Sequence, residues 1–226
     1  MDKLTCWRHR RIWIKPSSIG SIIGASELTL GERQFLEDWV KSGKPLVGRA
    51  TNPLDQSGKD FVPLGLMLHL TDAPKKRLNL QVDSTSILKV EEPLNIQVVM
   101  TVLSPSIVAK LEKMLARVAD YPILVRVFGS AFWSYEGEQN YMTEYSDIDL
   151  LISPFSNCDL LELAKTLRSL SDEIDLRLDG EFEFLNGWSV NWREYASNTT
   201  ELLVKSDLGP KIVARQQIME EFHVFQ

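Results

Sequence analysis

A chain of 226 residues with 44% hydrophobic side chains, 12 Gly and 10 Pro can build a sizeable core in one large or two small domains, which excludes a disordered or fibrous protein. No stretch approaches the ~18 apolar residues of a membrane span and the first residues lack an apolar signal segment, so a soluble cytoplasmic protein is expected. The formal charge of −6 is uneven: residues 1–50 carry nine Lys/Arg against five Asp/Glu (+4), and the rest sixteen against twenty-six (−10). That balance, without a long basic tract, argues against a nucleic-acid partner.

Ile12, Trp13 and Ile14 form a short apolar run before a Gly/Ser-rich stretch over 17–26. Phe35, Leu36, Trp39 and Val40 then fall at helical spacing, which predicts a helix over 31–41. Between 44 and 103 the apolar runs 63–68 and 96–102, separated by polar turns, read as strands. Ser104 and Pro105 open a new helix: serine caps, proline suits the first helical position, and Ile107, Val108, Leu111, Met114, Leu115 and Val118 line one face. The domain boundary is placed there, giving 1–103 and 104–226.

After that helix, Ile123 to Phe128 reads as a buried strand stopped at Gly129-Ser130, and Asp147 to Ile152 as a second strand. Asp159, with Glu162 three residues on, caps a helix running to Leu170. Residues 174–184 alternate, with Ile174, Leu176 and Leu178 on one face and Asp175, Arg177, Asp179 and Glu181 on the other. Asn186-Gly187 marks a hairpin whose return strand is Trp188 to Trp192.

Gly129-Ser130, Asp147-Ile148-Asp149 and the acidic strand face point together to metal-dependent phosphoryl transfer. Glycine lets the backbone approach a phosphate, and serine at the start of a helix adds donors aimed at the anion. Aspartates at i and i+2 on a strand share a face and can hold hard divalent cations. A carboxylate from a neighbouring strand completes a two-metal clamp, and without metal the cluster repels itself. Taken singly, each piece also fits a turn or a strand-entry cap; their order on consecutive elements favours chemistry.

The segments Val125 to Trp133, Tyr141 and Ser146 to Leu151, with sixteen residues between Ser130 and Asp147, resemble the nucleotidyltransferase superfamily typified by DNA polymerase beta. Within it they are similar to the phosphoribosyl-dephospho-coenzyme A transferases of malonate decarboxylase, also called its holo-acyl-carrier-protein synthases. Asp179-Gly180-Glu181 and Val190 to Glu194 extend the resemblance. His9, Pro45 to Arg49 and Pro63 to Gly65 match more loosely; Gly48 and Ala50 depart from the pattern and leave a substrate role for Arg49 open.

The resemblance implies an α+β fold, with a C-terminal nucleotidyltransferase domain of mixed β-sheet flanked by helices and a smaller α+β N-terminal domain before it. It implies transfer of phosphoribosyl-dephospho-CoA from triphosphoribosyl-dephospho-CoA to a serine of the apo acyl carrier protein subunit of malonate decarboxylase, with release of pyrophosphate. Asp147, Asp149 and Asp179 would be the catalytic carboxylates and hold Mg²⁺, as two ions. Gly129 and Ser130 would cradle the leaving phosphates, with positive charge from Arg126, Arg177 or Arg193. Asp175 competes with Asp179, and the Asp-Gly-Glu match favours Asp179; Glu181 would support rather than ligate.

Trp133, Trp188 and Trp192 read as packing rather than as adenine stackers. His9, His69 and His223 lack metal-ligand spacing, and Cys6 and Cys158 read as inert thiols. Arg8, Arg10, Arg11 and Lys15 are expected to steer an acidic carrier protein. Two readings compete: another Mg²⁺-dependent nucleotidyltransferase acting on a small molecule or protein, and a non-catalytic nucleotide-binding module.

Overall fold

A computed structural model describes residues 6–24, 27–56, 60–69, 74–143, 146–155 and 157–221; His223 lies outside them. They form two units, one running to Glu92 and including Asp207–Gly209, the other built from Pro93–Ser206 and the chain from Pro210 on.

The N-terminal unit is a five-stranded antiparallel sheet of β1 (Arg11–Ile14), β2 (Leu46–Gly48), β3 (Phe61–Leu68), β4 (Lys76–Asp83) and β5 (Ile87–Glu91), in the order β4-β3-β2-β1-β5. Helix α1 (Leu30–Lys41) starts at a capping box in which the Thr29 hydroxyl accepts from Glu32 N and the Glu32 carboxylate accepts from Thr29 N. Its buried Leu36, Trp39 and Val40 are three of the four residues whose spacing predicted it. The core runs through Ile12, Leu46, Val62, Leu64, Leu66, Leu78 and Leu80.

Two positions that departed from, or sat beside, the family pattern have local explanations. A Cβ on Gly48 would lie 1.8 Å from the Trp7 carbonyl oxygen, so that close approach admits only glycine. Arg49 is an internal anchor: its guanidinium donates to both Asp55 oxygens, at 2.7 and 2.6 Å, and to the carbonyls of Leu64, Ala50 and Leu80. All five N–H donors are thereby engaged.

Several of the basic side chains expected to steer a carrier protein also have partners within their own unit. Arg8 is 9% exposed, Arg10 pairs with Glu92 at 3.2 Å, and Arg11 pairs with Glu91 at 2.6 Å. Lys15 donates to the Thr85 carbonyl. Arg10 and Arg11 thus neutralise acids of their own unit, while Lys15 stays exposed.

In the C-terminal unit come α2 (Ile96–Met100), α3 (Pro105–Arg117), β6 (Ile123–Phe128), α4 (Gly129–Gly137), β7 (Ile148–Pro154), α5 (Leu160–Glu173), β8 (Leu178–Glu183), β9 (Ser189–Asn191), α6 (Trp192–Tyr195), β10 (Glu201–Ser206), β11 (Gly209–Ala214) and α7 (Arg215–Glu221). The sheet order is β11-β10-β9-β8-β7-β6; β7 and β8 run parallel, while β6 with β7 and β8 with β9 are antiparallel. This is the mixed sheet flanked by helices, and the protein is α+β. Helix α3 opens as its sequence predicts, with Ser104 accepting from Ile107 N, and buries Leu111 and Met114, about 1.5–3 kcal/mol each.

Four sequence expectations differ from the structure. Residues 93–103 sit with the C-terminal unit rather than before a boundary at 104, because the Leu94 carbonyl accepts from Val127 N and Asn95 bridges to Arg126. The β-rich run from Ile96 is the helix α2: Asn95 caps Gln97 N, and Ile96 and Val99, one turn apart, are buried. The alternation from 174 is not strand until Leu178. Ile174 N closes α5 on the Leu170 carbonyl, and Asp175 turns the chain in the left-handed region at φ 49°. Similarly, Trp192 starts α6 instead of prolonging β9. Among the described residues no helix is long and apolar enough to cross a membrane.

Candidate active site

Strand β7 carries the site between its two neighbours. Asp149 is in register with Phe128 on antiparallel β6 and with Asp179 on parallel β8. Register partners on strands about 4.8 Å apart project to the same face, so Asp149 and Asp179 stand side by side. The alternate residues of β7, Ile148, Leu150 and Ile152, are completely buried on the opposite side. Pairing with β9 extends the carboxylate-bearing face through Glu181 and Glu183 to Asn191 and Ser189.

Strand β6 passes directly into α4 at Gly129, whose φ is 65°. A Cβ there would sit 1.8 Å from Oδ2 of Asp149, so only glycine lets this carboxylate lie over the start of the helix. Phe128 supplies no side-chain cap, which leaves first-turn N–H groups of α4 for an anion or water. Ser130 is in that turn, and among the described residues its hydroxyl has no hydrogen-bond partner.

Asp147 lies two residues before Asp149, and its Oδ1 pairs with Arg177 Nε at 2.7 Å. Both are solvent-accessible, at 36% and 66% of side-chain area, so the pair is a weak, exchangeable contact. Asp179 Oδ1 accepts from Asn191 Nδ2 at 2.9 Å, while its Oδ2 accepts nothing among the described residues. Asp175, the rival third carboxylate, is off the strand, fully exposed and beside Lys110. The geometry therefore pairs Asp149 with Asp179.

Along the same face the polar residues are spent on one another. Ser189 and Lys205 donate to the two oxygens of Glu181, at 2.6 and 2.9 Å. Ser153 donates to Glu183 at 3.3 Å, and Arg126 Nη1 donates to Ser153 at 2.9 Å and lies 4.0 Å from Glu183. Glu181 and Glu183 are each 3% exposed, so these networks compensate buried carboxylates. Arg193 is placed elsewhere: it stacks on the Trp192 ring and donates to the Leu178 carbonyl and the Ser171 hydroxyl, joining α6 to β8 and α5. Arg177, by contrast, pairs with the predicted carboxylate Asp147.

The donors here are all carboxylate oxygens, which suits a hard divalent cation such as Mg²⁺. Asp147, Asp149 and Asp179 are the carboxylates that could hold one. Among the described residues no group of three or more His, Cys, Asp or Glu that could hold a metal is found.

Trp133 and Trp192 are buried as packing residues, and burial pushes the Tyr141 hydroxyl above its ordinary range. Burial, with Asp159 alongside, pushes the Cys158 thiol up to about 11, as befits an inert thiol. Asn191 entered the sequence reading only within a matched segment; its contact with Asp179 crosses two strands and has no local signal.

The family described as Phosphoribosyl-dephospho-CoA transferase MdcG C-terminal domain matches residues 94–216, and its N-terminal counterpart matches residues 7–93. A phosphoribosyl-dephospho-CoA transferase of Bradyrhizobium diazoefficiens is 29% identical over 212 residues, covering 94% of this chain and 92% of the relative. One from Xanthomonas axonopodis pv. citri is 29% identical over 92% of this chain and 94% of its own length. No solved structure matches. The two family matches together span nearly the whole described chain, and this protein belongs to the phosphoribosyl-dephospho-CoA transferase family of enzymes.

Proposed function

We propose that this chain moves a phosphoribosyl-dephospho-CoA group from its 5-triphosphoribosyl precursor to a serine hydroxyl of an apo acyl carrier protein, that of a malonate decarboxylase. The serine oxygen forms a bond to the phosphorus next to the ribose, the bond to the leaving pyrophosphate breaks, and the hydroxyl proton is released. The observation that carries this is the register of Asp149 against Asp179 beside Gly129, in a member of this transferase family.

Asp147, Asp149 and Asp179 would hold Mg²⁺, which supplies charge neutralisation of the triphosphate and a lower pKa for the attacking hydroxyl. The chain's own groups do the rest. The first-turn N–H groups of α4 and the Ser130 hydroxyl receive phosphate oxygens. Arg177, once released by Asp147, adds a mobile positive charge at the mouth of the site. Arg126 and Arg193 act by holding the sheet and α6 in place.

The test is the intact mass of an apo malonate decarboxylase carrier subunit after incubation with the protein, Mg²⁺ and triphosphoribosyl-dephospho-CoA, with Asp149→Asn as control. The expected result is a mass gain equal to the transferred group, absent in the control. An unchanged mass while Mg²⁺ and a nucleoside triphosphate still bind moves the acceptor to another molecule.

A further inference from the structure

Asn191 stands where β9 ends and α6 begins, and its side chain serves both sides of that junction. Its Oδ1 caps α6, accepting from Arg193 N at 2.9 Å and Glu194 N at 3.3 Å. Two backbone donors on the oxygen settle the orientation of the amide, which turns its NH₂ the other way. That NH₂ donates to Asp179 Oδ1 at 2.9 Å. The backbone on which Asn191 sits is itself held, since β9 pairs with β8 at Glu181 and Asn191.

We infer that Asn191 is a positioning residue for the metal site, fixing the Asp179 carboxylate so that Oδ1 is committed to the amide and Oδ2 is left to the cation. This rests on the metal-dependent reading proposed above. The physical reason is rotation. Asp179 is only partly buried, and a carboxylate with one anchored oxygen loses the freedom to turn away from Asp149. A group that hydrogen-bonds a metal-binding carboxylate typically alters metal affinity by about 10–100-fold when removed. The same amide ties the site to α6, so the cap and the carboxylate are set by one side chain.

Asn191→Ser separates the two duties, because serine caps a helix well but is too short to reach Asp179. Binding of Mn²⁺ alone is followed by the loss of its free paramagnetic signal, and folding by circular dichroism and thermal melting. The expected result is a folded Asn191→Ser protein whose Mn²⁺ affinity falls about 10–100-fold. In an Asp179→Asn background, Asn191→Ser should then cost nothing further, since it acts through Asp179.

Wild-type Mn²⁺ affinity in folded Asn191→Ser overturns the inference, and so does a full additional loss in the double variant. If Asn191→Ser does not fold, Asn191→Thr, also a capping residue, carries the same test; failure of both to fold makes Asn191 purely structural and overturns it. Should the wild type bind no Mn²⁺, or Asp179→Asn bind it normally, the metal-dependent reading itself fails and takes the inference with it.

Discussion

The missing Cβ of Gly129 is what places the Asp149 carboxylate: at this backbone geometry the atom would lie 1.8 Å from Oδ2 of Asp149. Gly129 also sits at φ 65°, a conformation that costs a side chain about 1–3 kcal/mol. Gly129→Ala should therefore remain folded with a lowered melting temperature. It should lose about 10²-fold or more in turnover, because displacing a reacting group by about 1 Å costs that much. Carrier-mass kinetics and a thermal melt check both, and a variant with near-normal turnover would show that the Asp149 position is not critical.

Arg177 and Asp147 form an ion pair open to solvent, and such pairs contribute about 0–1 kcal/mol. Arg177→Gln should leave the urea midpoint almost unchanged. By freeing Asp147 it should tighten Mn²⁺ binding in the absence of substrate, while raising KM for the triphosphoribosyl donor. Weaker Mn²⁺ binding in this variant would contradict the exchange of Asp147 between arginine and metal.

Arg126 and Glu183 present the opposite case, with side chains only 14% and 4% exposed. Arg126→Met should destabilise by about 3–5 kcal/mol, since it removes the cation beside a buried carboxylate. Combining it with Glu183→Leu should recover most of that loss, because an apolar pair of similar volume has no charge to compensate. Equilibrium unfolding of the two variants decides the matter; equal stability of the single variant and the wild type would refute the structural role.

Cys158 offers a pH test. Its thiol is raised from 9.0 to about 11 by burial, with Asp159 adding to the effect. A raised folded-state value means that this group's contribution to stability is fully present below pH 9 and disappears as pH rises through about 11. At pH 8 alkylation of Cys158 by iodoacetamide should be about 10²-fold slower than that of a free cysteine, accelerating steeply towards pH 11. Peptide mass spectrometry distinguishes it from Cys6.

Elements whose signals are local were legible in the chain. Ser104 with Pro105, and Asp159 with Glu162, mark helix starts that the structure keeps, because a cap is a contact within one turn. Asn186-Gly187 likewise announces the β8–β9 turn. Where two local signals competed, composition misled: the β-branched residues after Asn95 read as strand, yet the cap and the spacing of Ile96 and Val99 make a helix. The alternation from Ile174 continued on paper through a left-handed turn at Asp175 that only the end of α5 explains.

The sequence by itself determined which residue types the site has available: a glycine and a serine after a strand, paired aspartates at i and i+2, and a further acid in Asp-Gly-Glu. It could not decide between Asp175 and Asp179, nor sort the arginines, because those outcomes depend on strand register and on partners far along the chain. The parallel pairing of β7 with β8 sets Asp179 beside Asp149, and the fold assigns Arg126 to Glu183, Arg193 to Leu178 and Ser171, and Arg177 to Asp147. Chemistry resides in side chains that the chain can list, whereas position resides in hydrogen-bonded register, which is settled only when the sheet closes.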